Sequence, residues 1–507
     1  MEEETIIEQA VQPTTDIDKK IITAKPDAAV AMLQSGRMTP SPEVEKYKKQ
    51  LEPTKHLVYD HSVRPDKLVK TDEAVDMNSI PQENRLLDLG QKNRTANVRP
   101  EPVSRIAVSL QELIVKRAVS FLFGNPVTLL AEAESDKENE VLKSVKSILY
   151  DVKSTTLNRK IARTIFSATE AAELWYVVPS PNNRYGFDSK YKLRVAVFDP
   201  LKGDKLFPYF DDTGDLIAFS REYSAKDTEQ KTHNFFETYT AEYIYRWETT
   251  DNKVQLIEGY PKKNAIGKIP VIYGRQNKTE WADVQGLIER YEKLLSNFAD
   301  CNDYHASPKI IVKGRIKSWA KKGETGGVIE MEDDGDAHYM SWEQAPEAVK
   351  LEEQTLFKLI HSLTQTPDIS FDTVKGIGNV SGIALELMFM DAHLKVQDKK
   401  EQFVEYLQRR YSIIQSYLKV MNKRDADFVK ACDTLGIEPD ITPYIIKDEA
   451  GRINALMQSN GNQPIASQRT TIEQYGKVDD VDAEIERIRE EQGTTSVSDL
   501  LEQEPTF

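Results

Sequence analysis

Residues 372–382 read DTVKGIGNVSG, and residues 383–421 follow as IALELMFMDAHLKVQDKKEQFVEYLQRRYSIIQSYLKVM, without a proline or a glycine. Because these two residue types most often interrupt helices, residues 383–421 predict one helix of about 40 residues, roughly 60 Å long at 1.5 Å per residue. Few single-domain enzymes need a rod of that length. The stretch therefore favours a structural protein.

The glycine-rich segment in front of this helix raises the question of a nucleotide site. Gly376, Gly378 and Gly382 give the spacing G-x-G-x-x-x-G, which matches neither the dinucleotide fingerprint nor the P-loop. A helix precedes the segment, so the strand that comes before a phosphate cradle is missing. Besides a nucleotide site, two interpretations are open: a plain surface loop, or a mobile loop with one lysine, Lys375, in which Ser381 caps the next helix.

Composition limits the class of protein. A chain of 507 residues predicts two to four domains, and no apolar run reaches the roughly 18–20 residues of a membrane span. The acidic start has no apolar region typical of a secretory signal. Cys301 and Cys432 are too few for a disulfide framework, which fits a reducing cytoplasm, and the seven histidines show no metal-ligand spacing. We predict no metal and no cofactor.

The net charge of −15 is unfavourable for DNA binding over the whole surface, because proteins that grip DNA normally present lysine and arginine to its phosphates. Any contact with nucleic acid must therefore be local, weak or suited to sliding.

Hydrophobic periodicity predicts an α+β fold. Helices are expected within 101–127, where Gly124-Asn125-Pro126 is a stop signal, and over 138–150 and 156–172. Residues 1–55 lack a sustained apolar period and predict a mobile arm with short helices. Between Leu174 and Tyr273 the period shifts towards two, which predicts a mixed, largely antiparallel sheet with strands in ELWYVV, YKLRVAVF, KLFPYF, DLIAFSREY, FFETYTAEYIYRW and KVQLIEGY.

Two predicted helices, 281–305 and 346–364, flank an insert over 309–342 with strand and turn character. This order suggests a protruding arm that goes out, folds and returns. The apolar stripe of the first helix commonly means core packing, but it could equally face a neighbouring subunit. The second helix is expected to carry its apolar residues on one side, at Val349, Leu356, Leu359, Ile360 and Leu363.

The insert has an ordered distribution of charge. A basic run is followed by an acidic run, which is either a solvated face or a pair of edges that mate between neighbouring copies. The acidic run lacks the later glutamate of a calcium loop. The residues concerned are Lys309, Lys313, Arg315, Lys317, Lys321 and Lys322, then Glu330, Glu332, Asp333, Asp334 and Asp336.

No nucleophile elbow, zincin motif or cysteine–histidine arrangement is present in the sequence. The acidic residues form no recognisable catalytic pair. We predict that the protein is not an enzyme.

The chain resembles the portal, or head-to-tail connector, proteins of tailed bacteriophages, in the siphovirus branch. The resemblance covers roughly residues 80–490, and the order of its pieces is more specific than any one of them. The pieces are SFLFGNPV, IPVIYGR, WADVQGLIERYEKLLSNFADCNDY, TQTPDIS, GNVSGIALELMF and SQRTTIEQYGKVDDVDAEIERIREE.

This resemblance implies a portal-type fold with wing, stem, clip and crown. It divides the chain into a mobile N-terminal arm (1–55), a wing (56–280), stem helix 1 (281–305), a clip (306–345), stem helix 2 (346–366), a tunnel loop (367–382), a long wing helix (383–423), and a crown with the C-terminal tail (424–507).

The resemblance also implies partners and site residues. About twelve copies would form a homo-oligomeric ring at one capsid vertex of the virion, assembled in the host cytoplasm among major capsid and scaffold proteins. Double-stranded DNA would pass through the ring, and the terminase large subunit and later a head-completion or adaptor protein would dock on it. The tunnel-loop residues facing DNA would be Asp372, Lys375, Gly376, Gly378, Asn379, Ser381 and Gly382.

Two alternatives stay open at this point. One is a nucleotide hydrolase that uses the glycine-rich segment, and the other is a different phage head-completion or baseplate protein.

Overall fold

The computed structural model describes residues 13–70, 98–250, 253–306, 345–368, 389–444, 467–475 and 481–501, with four short strands between residues 310 and 339. The chain divides into two compact units. The first comprises Met1–Ile369 and Met390–Tyr444, and the second comprises Ser370–Phe389 and Ile445–Phe507.

Three short helices open the described chain: α1 (Asp16–Thr23), α2 (Pro26–Ser35) and α3 (Val44–Leu51). The apolar residues of α1 and α2 are buried against a β-sheet, so the predicted mobile arm is wrong for residues 13–55. Each helix is too short to give a sustained period, yet one apolar face of two or three residues is enough to cover the sheet. The residues in this core are Ile17, Ile21, Ala29, Val30, Leu33, Ala218, Phe236, Tyr245 and Trp247.

Buried charges also tie the N-terminal segment to the body. The fully buried carboxylate of Asp18 accepts hydrogen bonds from the hydroxyls of Thr240, at 2.9 Å, and Tyr245, at 2.8 Å. The guanidinium of Arg37 donates to both carboxylate oxygens of Glu170, at 2.7 and 3.2 Å, and both side chains are buried. Buried charged groups need such partners, so these contacts hold the segment in one position.

Three longer helices follow: α4 (Leu110–Leu122), α5 (Asp136–Asp151) and α6 (Ser154–Ala168). α4 ends just before the predicted stop signal. α5 begins with a capping box, in which the hydroxyl of Ser135 accepts from the backbone N–H of Glu138 and the Glu138 carboxylate accepts from the backbone N–H of Ser135. α6 ends four residues earlier than predicted, because Thr169 turns the backbone with a positive φ of 67° and the next strand begins at once.

Twelve strands are described up to residue 275. They are β1 (Lys67–Lys70), β2 (Val98–Glu101), β3 (Thr128–Leu130), β4 (Glu170–Asn182), β5 (Ser189–Phe198), β6 (Lys205–Phe210), β7 (Leu216–Lys226), β8 (Thr232–Tyr239), β9 (Tyr243–Thr250), β10 (Lys253–Leu256), β11 (Lys262–Lys263) and β12 (Val271–Arg275).

The strands form two main antiparallel sheets. One has the order β10-β9-β8-β7-β6, with β11 also on β9, and the other has the order β12-β4-β5. The single mixed sheet predicted from the sequence is therefore two sheets, and their described strand pairs are all antiparallel.

The stretch FFETYTAEYIYRW, predicted as one strand, is a hairpin of β8 and β9. Its turn contains neither glycine nor proline. The hydroxyl of Thr240 accepts from the backbone N–H of Tyr243, at 2.9 Å, and the backbone N–H of Thr240 donates to the carbonyl of Tyr243, at 2.9 Å. A threonine side chain closes this turn, which explains why a search for the usual turn residues misses it.

The two helices predicted as an arm are α7 (Gln285–Ala306) and α8 (Ala345–Leu363), and one 3-10 turn, Ala282–Val284, leads into α7. Between them lie β13 (Ile310–Lys313), β14 (Ile316–Ser318), β15 (Glu330–Met331) and β16 (Asp336–Tyr339).

The long helix α9 is Met390–Met421, 32 residues. Phe389 lies in a turn directly before the helix, and residues 383–388 of the predicted helix lie outside the described residues. Its centre crosses the smaller sheet, where Arg410 donates to both oxygens of Glu173 at 2.6 and 2.8 Å. Both side chains are almost completely buried, which fixes the rod to the body.

The region predicted as crown is divided between the two units. α10 (Ala426–Thr434) packs on α5 and α9, and β17 (Glu438–Asp440) pairs with β3, so residues 426–444 belong to the first unit. Within the second unit, α11 (Gln468–Tyr475) and α12 (Val481–Leu501) are joined by an ion pair between Arg469 and Asp482 at 2.9 Å.

Candidate functional site

The predicted channel residues lie outside the described residues, because the structure describes nothing between residues 369 and 388. This covers the whole set: Asp372, Lys375, Gly376, Gly378, Asn379, Ser381 and Gly382. Their role stays a prediction.

The predicted clip residues are described only in part. Lys313, Lys317 and Glu330 lie on β13, β14 and β15, whereas Arg315, Lys321, Lys322, Glu332, Asp333 and Asp334 lie outside the described residues. β13 pairs with β16, which sets Lys313 opposite Asp336, and β14 pairs with β15, which sets Ser318 opposite Glu330. The basic and acidic strands are thus neighbours within one chain. Contact between the basic edge of one copy and the acidic edge of the next stays a prediction.

The two arm helices pack against each other. Arg290 of α7 forms an ion pair with Glu352 of α8 at 2.6 Å, and the hydroxyl of Tyr291 donates to Glu353 at 2.9 Å. The rings of Tyr291 and Phe357 lie 6.2 Å apart between centroids. The helices therefore form one two-helix element.

This two-helix element is buried at one end and exposed at the other. Near the body, Ile288 of α7 is completely buried and Ile360 of α8 is 1% exposed. Towards the clip strands, Tyr304 of α7 is 64% exposed and Leu351 of α8 is 66% exposed. The element thus has its base in the body and an outer end with exposed residues.

The apolar residues predicted for one side of α8 are buried to different degrees. Leu356 and Ile360 are buried, whereas Leu359 and Leu363 are 42% and 58% exposed, and Leu351 is 66% exposed. The three exposed leucines continue the apolar side beyond the buried pair in one direction around the helix, and we call them the outer leucine stripe. The stripe of α7 is instead used within the chain, since Val284, Ile288, Tyr291 and Leu294 are buried.

The turn that follows α8 is held at two of its carbonyl groups. The ammonium of Lys395, on α9, donates to the carbonyl of Thr364 at 2.9 Å. The guanidinium of Arg117, on α4, donates to the carbonyl of Pro367 at 2.6 Å. Gln365 between them has a positive φ of 49°, and the hydroxyls of Thr364 and Thr366 are 3.0 Å apart. Cations suit this position because helix ends present unpaired carbonyl groups.

A buried carboxylate joins the beginning of α9 to the approach to α7. Glu280, just before α7, forms ion pairs with Lys395 at 2.7 Å and with Lys399 at 2.9 Å. Burial alone would raise the pKa of Glu280, but the two ammonium groups outweigh it and lower that pKa below its ordinary value. Glu280 is therefore ionised at neutral pH.

Sequence reasoning missed this group of Glu280, Lys395 and Lys399. The lysines are one helical turn apart on a rod with many charges, and Glu280 lies more than a hundred residues earlier in the chain. In the sequence, Pro367 within TQTPDIS indicates where α8 ends, but it does not indicate which residues contact that end.

No group of histidine, cysteine or acidic side chains suited to a metal ion occurs among the described residues. In that same part of the chain, none of the helices combines the length and the apolar composition that crossing a bilayer requires.

Comparisons with known proteins identify the family. The family model for phage portal proteins of the SPP1 Gp6-like type matches residues 77–497. None of the curated proteins matches the chain. Similar solved structures include the neck of an empty GTA particle computed with C6 symmetry, at 11% identity and a TM-score of 0.40, covering 72% of this chain and 89% of that one. The neck of a native GTA particle computed with C12 symmetry is 12% identical, with a TM-score of 0.36, covering 71% and 87%.

The match to the family model confirms the resemblance proposed from the sequence and covers most of the chain. The portal family is structural and not enzymatic, which favours that interpretation over a nucleotide hydrolase. The chain belongs to the SPP1 Gp6-like family of phage portal proteins.

Proposed function

We propose that this protein forms a ring of about twelve copies at one vertex of a phage capsid and that double-stranded DNA passes through the ring during packaging and ejection. The clip end is the docking platform for the terminase large subunit and later for a head-completion or adaptor protein. Assembly takes place in the host cytoplasm with capsid and scaffold proteins. Family membership supports the portal role, and the finer roles are part of this proposal.

The outer leucine stripe is the observation that carries the ring. Three leucines at 42–66% exposure extend the apolar side of a helix whose Leu356 and Ile360 are already packed. Contiguous exposed apolar residues are typical of contact surfaces between proteins. In a closed ring every copy meets a neighbour on each side, so an apolar surface that the described residues leave exposed is covered by the next copy.

The charge of the protein suits a passage for DNA. A net charge of −15 per copy makes a ring strongly acidic, and acidic walls repel phosphates. Affinity is then low enough for the duplex to move. Lys375 supplies a transient contact to phosphate, and the neighbouring glycines give the backbone the freedom to follow a DNA helix whose symmetry differs from that of the ring.

The ring is tested by removing the outer leucine stripe. In the triple variant Leu351→Ser, Leu359→Ser, Leu363→Ser, we expect light scattering to show loss of the ring and a folded smaller species. The matched control changes three exposed polar residues of the same helix, Lys350→Ser, Gln354→Ser and Lys358→Ser, and should leave the ring intact. A ring of unchanged mass in the leucine variant would contradict the proposal.

The channel role is tested in particles. We expect Lys375→Ala and Gly378→Pro variants to assemble rings but to package less DNA than the wild type, measured as DNA per particle. Normal packaging by both variants would refute a role of this segment in DNA movement.

A further inference from the structure

We propose that Glu280, Lys395 and Lys399 form a joint, called here the Glu280 joint, that positions the two described ends of the segment connecting α8 to α9. This inference rests on the proposed function, because the family resemblance assigns that connecting segment to the channel. It adds a positioning role for three residues that neither the family assignment nor the proposed channel residues include.

Three parts of the body meet at the Glu280 joint. Glu280 lies at the beginning of the arm, and its backbone N–H donates to the carbonyl of Phe166 on α6 at 3.1 Å. Lys395 lies near the beginning of α9 and reaches Thr364 at the end of α8 with the same ammonium that pairs with Glu280. One lysine thus connects the outgoing helix, the returning helix and the rod.

The charges of the Glu280 joint are buried and depend on one another. The side chain of Glu280 is 5% exposed, that of Lys395 is 11% exposed and that of Lys399 is 19% exposed. Lys399 also donates to the amide oxygen of Gln276 at 3.2 Å. A single carboxylate therefore balances two ammonium groups, and its loss leaves two like charges together in a place with little water.

The arrangement has a mechanical consequence. Because the arm helices begin and end at the Glu280 joint, a displacement at the arm moves Glu280 and the carbonyl of Thr364 together. Lys395 transmits that displacement to the beginning of α9. The two ends of the connecting segment then move as a pair, so an event at the clip end can reach the channel without unfolding the body.

Hydrogen exchange on the purified protein tests the joint without relying on DNA movement. The amides of Thr364 and Thr366 donate to the carbonyls of Ile360 and His361 and report on the end of α8. In Glu280→Gln we expect these amides to exchange roughly tenfold faster or more, since one partner of a buried charge group is lost. Amides of β7 and β8 serve as the internal reference for an intact fold.

The matched control is Asp283→Asn. It removes the ion pair between Asp283 and Lys278, which lies in the same connection but has both side chains more than 60% exposed, so exchange should stay at the wild-type rate. If Glu280→Gln does not fold, Lys395→Met gives the same readout while keeping Glu280 paired with Lys399. Wild-type exchange rates in a folded variant of either kind would overturn the proposal.

A second measurement relates the joint to the channel. In particles, Glu280→Gln should form rings but contain less DNA per particle than Asp283→Asn. Rings with normal DNA content would refute a role in packaging. A wild-type protein that forms no ring would instead refute the proposed function, while the exchange experiment would still decide whether the Glu280 joint exists.

Discussion

The N-terminal segment, residues 13–55, and the two-helix arm of α7 and α8 differ in where their apolar residues go. The sequence predicted a mobile arm for the first region and a protruding arm for the second. The N-terminal segment instead covers a sheet, with Leu33 completely buried, whereas the arm leaves Leu351 66% exposed. The sheet covers most apolar residues of α1 and α2, whereas those of α8 are covered only in part. The exposed part of α8 is therefore the surface that we propose for contact with another copy.

The largest effect is expected where the N-terminal segment enters the body through a buried ion pair. Arg37→Met should lower the free energy of unfolding by about 3–5 kcal/mol, because the buried Glu170 carboxylate loses its cationic partner and retains the hydrogen bond from the hydroxyl of Tyr273. Chemical denaturation measures the change. Lys19→Met removes an exposed pair with Asp16 and should cost less than about 1 kcal/mol. Equal costs for the two variants would mean that the segment is not fixed to the body.

A slightly smaller effect is expected from the apolar core of the same segment. Leu33→Ala should cost about 2–5 kcal/mol, since it leaves a cavity beneath the sheet. Met38→Ala, at a residue that is 67% exposed, should change the free energy of unfolding by less than about 0.5 kcal/mol. A neutral Leu33→Ala variant would restore the prediction of a mobile arm.

The N-terminal segment contacts the arm through the residue that follows it, the buried His56. The Nδ1 of His56 lies 2.6 Å from a carboxylate oxygen of Glu292 on α7, and its Nε2 lies 2.9 Å from the carbonyl oxygen of Gln50. Both oxygens can only accept, so both nitrogens donate and the ring is charged. Burial is the largest single effect and would lower the pKa of His56, but the hydrogen bond and the charge of Glu292, together with the carbonyl of Gln50, outweigh it and raise the pKa.

His56 therefore predicts a pH dependence of stability. Because its pKa is raised in the folded state, His56 stabilises the fold fully below its unfolded pKa of about 6.5. This stabilisation is lost as pH rises through the folded pKa. His56→Gln should cost about 1.5–3 kcal/mol at pH 6 and progressively less at higher pH. The measurement is denaturation of both proteins across this range. A difference that grows with pH would contradict a charged His56.

The smallest effect on the chain itself is expected in the outer leucine stripe. Leu351→Ser should change the free energy of unfolding of the dissociated chain by less than about 0.5 kcal/mol, because the residue is 66% exposed. Leu356→Ser, at a buried leucine of the same helix, is the comparison and should cost several times more. Similar costs would show that the exposed and the buried leucines of α8 do not differ in their packing.

Much of the fold follows from local pattern. The strands from β4 to β9 and the arm helices recur near their predicted positions because each has a clear period. The turn at Thr240 was missed because a side-chain hydroxyl closes it. Short helices were expected in the N-terminal segment, but their packing against a sheet was missed, because an apolar face of two or three residues gives no sustained period. The Glu280 joint was beyond prediction, since Glu280 and Lys395 meet only once α6, α8 and α9 have packed.

The most direct test of the ring is an image of the purified full-length protein by negative-stain electron microscopy. We expect wide rings with a central hole, formed by the wild type and the polar-residue control and absent from the leucine-stripe variant. Monomers or small compact oligomers without a central passage in the wild type would contradict the account.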